Sequence, residues 1–246
     1  VEQAHQGLDD GAELITFLRS CAQRLADLVR GEDSALSLLF PHGDIGTAEA
    51  AYKDNIISRY VNQAVTAVMR TLADQHTGTL RVLEVGAGVG GTTADVVTAL
   101  AGTRIDYLFT DLSRFFLTDA QRQFSNIPGM RYGLFDINAD LAGQDVEPGG
   151  YDVILCANVL HNATSADVVI DRLRALLAPG GRLVFIETVR ENTSVMMSME
   201  FLMTFDDTTR PDFADARHGQ DRIFLTRDEW LDAVSYTHLR AHETLR

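Results

Sequence analysis

Cysteine is nearly missing from this chain of 246 residues: Cys21 and Cys156 are the only two. Two cysteines build no disulfide framework, which fits a reducing compartment. Neither stands in a metal-ligand spacing, and Cys156 lies in an apolar run, where packing is the ordinary role of a cysteine. Positive charge is also short. Lys and Arg number 21 against 35 Asp and Glu, a formal net charge of −14 with no basic stripe to neutralise phosphates, which argues against a nucleic-acid target. No segment reaches the roughly 18 uncharged apolar residues of a membrane span, and no basic-then-apolar leader opens the chain. These absences point to a cytoplasmic protein. With 46% apolar residues, the chain can build one full α/β domain plus a helical extension.

Periodicity divides the chain in two. Residues 12–30 place Leu14, Phe17, Leu18, Cys21, Leu25 and Leu28 on one helical face. A second helical stretch over about 47–74 follows the turn at Pro41-His42-Gly43-Asp44. Residues 1–78 are therefore expected to form a helical lead-in. From Leu80 short apolar runs at 80–86, 105–110, 131–135, 151–157 and 182–187 alternate with helical patterns near 91–101, 114–125 and 166–177. That alternation predicts a doubly wound, mainly parallel α/β sheet over 79–234. Pro179-Gly180-Gly181 reads as a turn into the fifth strand, and Met196–Met203 as a helix of adaptable packing or a lid. Thr226-Arg227-Asp228-Glu229 is a capping box that starts a last helix. Residues 235–246 resemble translated adapter sequence and are set aside as a non-native tail, which leaves the final strands of the sheet missing.

The densest signal is Val82-Leu83-Glu84-Val85-Gly86-Ala87-Gly88-Val89-Gly90-Gly91, a buried strand running into a glycine turn that opens a helix. An acid inside the strand is costly to bury unless a cation answers it. The ammonium of S-adenosylmethionine is such a cation, whereas the pyrophosphate of a dinucleotide would be repelled. Glu84 therefore favours an S-adenosylmethionine pocket over a nicotinamide one. Asp111 ends the second strand, where a carboxylate can accept from both ribose hydroxyls or else cap a turn. Asp136 follows the third strand, placed to accept from an adenine amine while Ile137 packs on the ring; a solvated loop acid is the alternative.

His161 follows Ala157-Asn158-Val159-Leu160 at the carboxyl end of the fourth strand, the end at which open α/β sheets bind ligands. Methyl transfer needs alignment, and its acceptor needs a proton removed, a task that suits a neutral imidazole with an ordinary pKa of about 6.5. Glu187 ends the fifth strand. Neighbouring parallel strands would present both residues at one edge, where a carboxylate on one ring nitrogen fixes the tautomer.

The segments Val82–Thr93, Tyr107-Leu108-Phe109-Thr110-Asp111-Leu112-Ser113 with Phe115-Phe116, Tyr151–Asn162 and Leu176–Gly181 resemble the methyltransferase domains embedded in polyketide synthases and nonribosomal peptide synthetases. The lead-in Leu39–Gly43 and Tyr52–Asn62 is similar as well, so the resemblance spans roughly 36–234. It implies that Glu84, Gly86, Gly88, Asp111, Leu112, Asp136, Ile137 and Asn158 hold S-adenosylmethionine. It further implies that His161 and Glu187 form a dyad that deprotonates the α-carbon of a β-ketoacyl thioester on an acyl or peptidyl carrier protein, with Tyr52 lining the acceptor pocket. After Glu187 the chain lacks the Trp-rich element of many polyketide members and looks closer to domains that methylate thiazoline-type rings, which leaves carbon against nitrogen or oxygen open. The rivals are a free-standing O- or N-methyltransferase, a silent structural domain of a megasynthase and, disfavoured by Glu84, a nicotinamide-dependent oxidoreductase.

Overall fold

A computed structural model describes residues 12–41, 45–53, 55–191 and 212–236. The turn residues 42–44, the methionine-rich stretch 196–203 and the tail from 237 lie outside the described residues. Among the described residues no helix is long and apolar enough to cross a membrane.

The chain forms two compact units. One holds α1 (Ala12–Gln23), α2 (Leu25–Val29), α3 (Ala35–Leu39), α4 (Gly46–Tyr52) and the first turn of α5 (Ile56–Gln75). Its buried side chains include Phe17, Cys21, Leu28, Leu39 and Ala48. The helix expected over 12–30 breaks at Arg24, whose backbone departs from helical geometry.

The second unit runs from Val61 to Arg190 and resumes at Phe213. The lead-in expected to end at residue 78 therefore divides earlier, within α5, because Val65, Met69 and Ala73 of that helix pack into the sheet's own core. The elements that follow are β1 (Leu80–Val85), α6 (Gly91–Ala99), β2 (Ile105–Asp111), α7 (Arg114–Gln123), β3 (Met130–Leu134), β4 (Tyr151–Ala157), α8 (Ala166–Leu176), β5 (Leu177–Ile186) and α9 (Arg227–Tyr236). The five strands pair in parallel in the order β3-β2-β1-β4-β5. Strands buried on both faces read as near-continuous apolar runs, as β1, β2 and β4 do apart from Arg81 and Glu84, Asp106, Thr110 and Asp111, and Asp152. One face carries Leu83, Val85, Ile154 and Cys156 against α8 and α9; the other carries Leu80, Val82, Tyr107 and Leu155 against α5, α6 and α7.

Two expectations shift at the fifth strand. β5 begins at Leu177, and Pro179-Gly180-Gly181 lies within it as an irregularity: pairing jumps from Tyr151 with Leu177 to Val153 with Arg182. Glu187 is the residue just past the strand rather than its last member. The capping box is present, with Thr226 N–H donating to Glu229 Oε2 at 2.8 Å and Glu229 N–H returning to Thr226 Oγ1 at 3.3 Å. Arg222 joins it, and this partner first of all holds the Glu229 carboxyl down at about 2.

Within the protein, Glu84 is met by two hydroxyl groups. Strand side chains alternate, so Glu84 shares the face of Leu80 and Val82 and points beneath α6 instead of out of the sheet's edge. Its Oε2 accepts from Thr93 Oγ1 at 2.6 Å and Tyr107 Oη at 2.7 Å, while Oε1 has no hydrogen-bond partner among the described residues. Two hydroxyls offset only part of the burial, which pushes this carboxyl up to about 7.

Two outcomes follow from this packing. Leu155→Ala, at a fully buried position of β4, should cost about 2–5 kcal/mol in urea unfolding. Val168→Ala on the exposed side of α8 should change stability by less than about 0.5 kcal/mol. As pH rises from the ordinary glutamate value of 4.5 toward 7, the unfolded chain releases the Glu84 proton before the folded one, so stability falls across that window. Glu84→Gln should flatten this part of the pH profile and raise stability at pH 8 by up to roughly 3 kcal/mol, read from melts between pH 5 and 8.

Candidate active site

Strand order reverses between β1 and β4, the kind of switch point at whose carboxyl edge open α/β sheets bind ligands. The turn after β1 has Gly86, Gly88 and Gly90 at φ of 60°, 55° and 74°. The third left-handed residue is Gly90, and Gly91 is already the first residue of α6. A Cβ on Gly86 would lie 2.3 Å from Val159 Cγ2, so the turn packs directly on the segment after β4. A Cβ on Gly88 would meet nothing within 4 Å; this glycine borders open space.

Asp111 straps the turn to β2. Its Oδ2 accepts from Gly88 N–H at 3.0 Å and its Oδ1 from Ser113 N–H at 2.8 Å, and burial raises its carboxyl despite these bonds. Leu112 N–H donates as well, and the carboxylate's roughly four lone-pair sites still leave room for a hydroxyl donor. Leu112, 66% exposed, presents the open apolar surface beside it. Asp136 is half-buried after β3, its Oδ1 accepting from Asn138 N–H at 2.8 Å. Gln144, which carried no signal in the sequence, fixes this loop by accepting from Asp136 N–H and donating to Asp136 O. A cleft of about 720 Å³ runs past Leu112, Phe135, Asp136 and Gln144. Ile137 departs from expectation: it is buried in the core cluster with Phe135 and Leu160 and offers little face for a ring.

The residues present fit S-adenosylmethionine. A turn with an unfilled Cβ position at Gly88 leaves room for close approach of a ligand, the strand-end carboxylate of Asp111 offers an acceptor for hydroxyl donors, and Leu112 offers an exposed apolar surface.

At the other side of the switch point, register pairs Ala157 with Ile186, so Asn158 and Glu187 leave their strands side by side. Asn158 is exposed and left-handed at φ 52°, the only such non-glycine among the described residues, and its N–H donates to Ile186 O at 2.8 Å. This sharp bend throws the chain into a single 3-10 turn, Leu160–Asn162, which carries His161. His161 Nδ1 lies 2.8 Å from Glu187 Oε2. Glu187 Oε1 accepts from Val159 N–H at 2.9 Å and Leu160 N–H at 2.6 Å. The carboxylate thus holds both the ring and the turn that bears it. Against the same turn lies a buried ion pair, Arg217 with Asp215, that sequence reasoning missed, since its partners are more than 45 residues away in the chain.

The structure brings Gly86, Gly88, Asp111, Leu112, Asp136, Asn158, His161 and Glu187 to one sheet edge. Glu84 sits below that edge, as described above. Tyr52 belongs to the other compact unit, where burial pushes its phenol well up.

A methyltransferase domain family matches residues 83–183. The pyochelin synthetase PchF of Pseudomonas aeruginosa (strain UCBPP-PA14) is 33% identical over 227 residues, which cover 90% of this chain and 12% of the synthetase. The polyketide synthase ThaG of Burkholderia thailandensis is 33% identical over 231 residues, covering 90% of this chain and 4% of the synthase. The crystal structure of the CurJ carbon methyltransferase superposes with a TM-score of 0.86 at 31% identity, covering 99% of this chain and 66% of that one. The chain therefore spans about an eighth or less of these two synthetases. With the glycine turn, the strand-end acids and the parallel sheet already in place, these matches show that the chain belongs to the class I S-adenosylmethionine-dependent methyltransferase domains of the kind carried inside polyketide synthases and nonribosomal peptide synthetases.

Proposed function

We propose that this domain methylates the α-carbon of a β-ketoacyl or thiazoline-type intermediate held as a thioester on an acyl or peptidyl carrier protein. The observation that carries this reading is the His161–Glu187 pair beside the β1–β4 switch point. A methyltransferase that only aligned an already nucleophilic acceptor would have little use for a base locked at this edge. Similarity to the CurJ carbon methyltransferase and to synthetases of both kinds supports the same acceptor class.

Bound S-adenosylmethionine supplies an electrophilic methyl on a sulfonium. The protein's part is to hold the donor, orient the acceptor and move one proton. The Gly86–Gly90 turn leaves room for the donor, and Asp111 accepts from its ribose hydroxyls. With Nδ1–H committed to Glu187, the basic lone pair of His161 is on Nε2. Nε2 takes the proton from the α-carbon, which in a β-ketoacyl thioester is made acidic enough for imidazole by its two flanking carbonyls. With the donor bound, the electron pair left behind would form the new C–C bond to the methyl as the methyl–sulfonium bond breaks and S-adenosylhomocysteine leaves. Glu187 stabilises the imidazolium until solvent removes the proton.

Calorimetry and proton exchange separate the two halves of this reading. Gly88→Ala should lower the melting temperature by several degrees, since alanine at φ 55° is strained by about 1–2 kcal/mol although its Cβ meets no atom, and should bind S-adenosylmethionine at least about tenfold more weakly. Gly86→Ala should lower the melting temperature sharply, because its Cβ collides with Val159. His161→Ala should keep cofactor affinity within about twofold. It should slow deuterium exchange at the α-carbon of an acetoacetyl-pantetheine thioester by roughly 10²–10⁴. Exchange that proceeds unchanged in His161→Ala rejects the base, and methylation of a nitrogen or oxygen nucleophile without any exchange by the unaltered chain rejects the carbon acceptor.

A further inference from the structure

Arg217 is fully buried, and all five of its guanidinium N–H groups are used. Nε donates to Asp215 Oδ1 at 2.9 Å, and Nη2 donates to Asp215 Oδ2 at 2.6 Å. The remaining three donors go to carbonyls: Nη1 to His161 O at 2.7 Å and Ile223 O at 3.0 Å, Nη2 to Ala163 O at 2.6 Å. The guanidinium carbon sits 3.7 Å from the centre of the Phe213 ring. Asp215 works on the same turn from its other side. Its Oδ2 accepts Ala166 N–H at 2.9 Å and so caps α8, whose own N-cap residue Ser165 makes no such bond. Ala214 N–H adds a bond to Thr164 O at 2.8 Å. The segment 214–217 therefore grips the turn after β4 at four backbone atoms: His161 O, Ala163 O, Thr164 O and Ala166 N. Phe224 closes the set, its ring edge-on to the imidazole at 5.2 Å.

A buried ion pair is weak evidence for stability, since desolvating two charges costs several kcal/mol before any attraction is counted. What this pair adds is geometry. Glu187 fixes the ring nitrogen of His161, and Arg217 fixes the carbonyl of the same residue, so the imidazole is held from both ends. We propose that Arg217 and Asp215 are positioning residues that aim His161 Nε2 at the acceptor carbon. The role rests on His161 being the base. A planar fork suits it and an ammonium does not: lysine would keep the charge but cannot reach two turn carbonyls and both oxygens of Asp215 together.

The test uses the full chain carrying 15N-labelled histidine, as Arg217→Lys and as Asp215→Asn. Three readouts are taken: S-adenosylmethionine affinity, α-carbon deuterium exchange of acetoacetyl-pantetheine thioester, and the downfield proton signal of His161 Nδ1–H. Affinity should stay within about twofold. Exchange should fall about 10–100-fold, the penalty of a base misplaced by around an ångström. The Nδ1–H signal should shift or broaden, which a purely structural loss elsewhere would not cause. A folded variant that keeps both the exchange rate and the signal overturns the proposal. Exchange surviving in His161→Ala while the signal moves in Arg217→Lys sinks the base reading alone; exchange lost in His161→Ala with the signal unmoved in Arg217→Lys sinks the positioning role alone. If neither variant folds, the unaltered chain decides. Solvent exchange of the Arg217 Nη protons and of His161 Nδ1–H at one common rate supports coupling, and arginine protons exchanging while the histidine proton stays protected refutes it.

Discussion

Parallel pairing of β1 with β4 is the constraint from which the site follows. Every strand of the sheet points the same way, so every strand end, and each loop that leaves one, opens on a single edge. Because the chain winds outward in opposite directions from β1 and β4, neither crossover covers the gap between them. The turn after β1 and the bend after β4 come into direct contact across that gap, Gly86 against Val159. A side chain at Gly86 would force the two apart. The absence of a Cβ is thus as much a packing requirement of the site as a conformational one.

Polar groups are buried around this edge in unequal states of satisfaction. Glu187 is answered at both oxygens by N–H groups of the turn and the ring it supports. Asp215 and Arg217 answer each other and then the backbone; burial alone would raise the Asp215 carboxyl, but the arginine and the Ala166 N–H outweigh it and hold it low. Glu84 is the exception, with one oxygen lacking a partner and two hydroxyls on the other. It ties β1, β2 and α6 together beneath the glycine turn, which makes it an anchor for the loop.

What could be read from the sequence depended on range. Strand and helix alternation, the glycine turn and Asp111 are local patterns, legible within a dozen residues. The meeting of His161 with Glu187 was also legible, because it needs only two strand ends and the adjacency of β4 with β5. Period-two alternation from Leu80 and Val82 would have turned Glu84 inward, had the cost of a buried acid not argued louder for a cation. Ile137 was assigned to a ring face by its place after β3, yet the chain turns it into the core with Phe135. Arg217 lay beyond reach: its carbonyl partners are 54 and 56 residues away, and the local run Asp215-Ala216-Arg217 reads as ordinary surface charge.

The edge also separates two tasks. Under the proposed function, residues after β1, β2 and β3 serve the donor and residues after β4 and β5 hold the base; the halves are joined by the Gly86–Val159 contact, by the β1–β4 pairing and by Asn138, which donates to Asn162 O at 3.1 Å and accepts from Thr164 N–H at 2.7 Å. The base half has its own support, built from Glu187 on one side and the 213–224 segment on the other. That support does not pass through the glycine turn. A fold arranged this way can hold one donor unchanged while the acceptor chemistry is altered by substitutions confined to the turn after β4 and the residues that grip it.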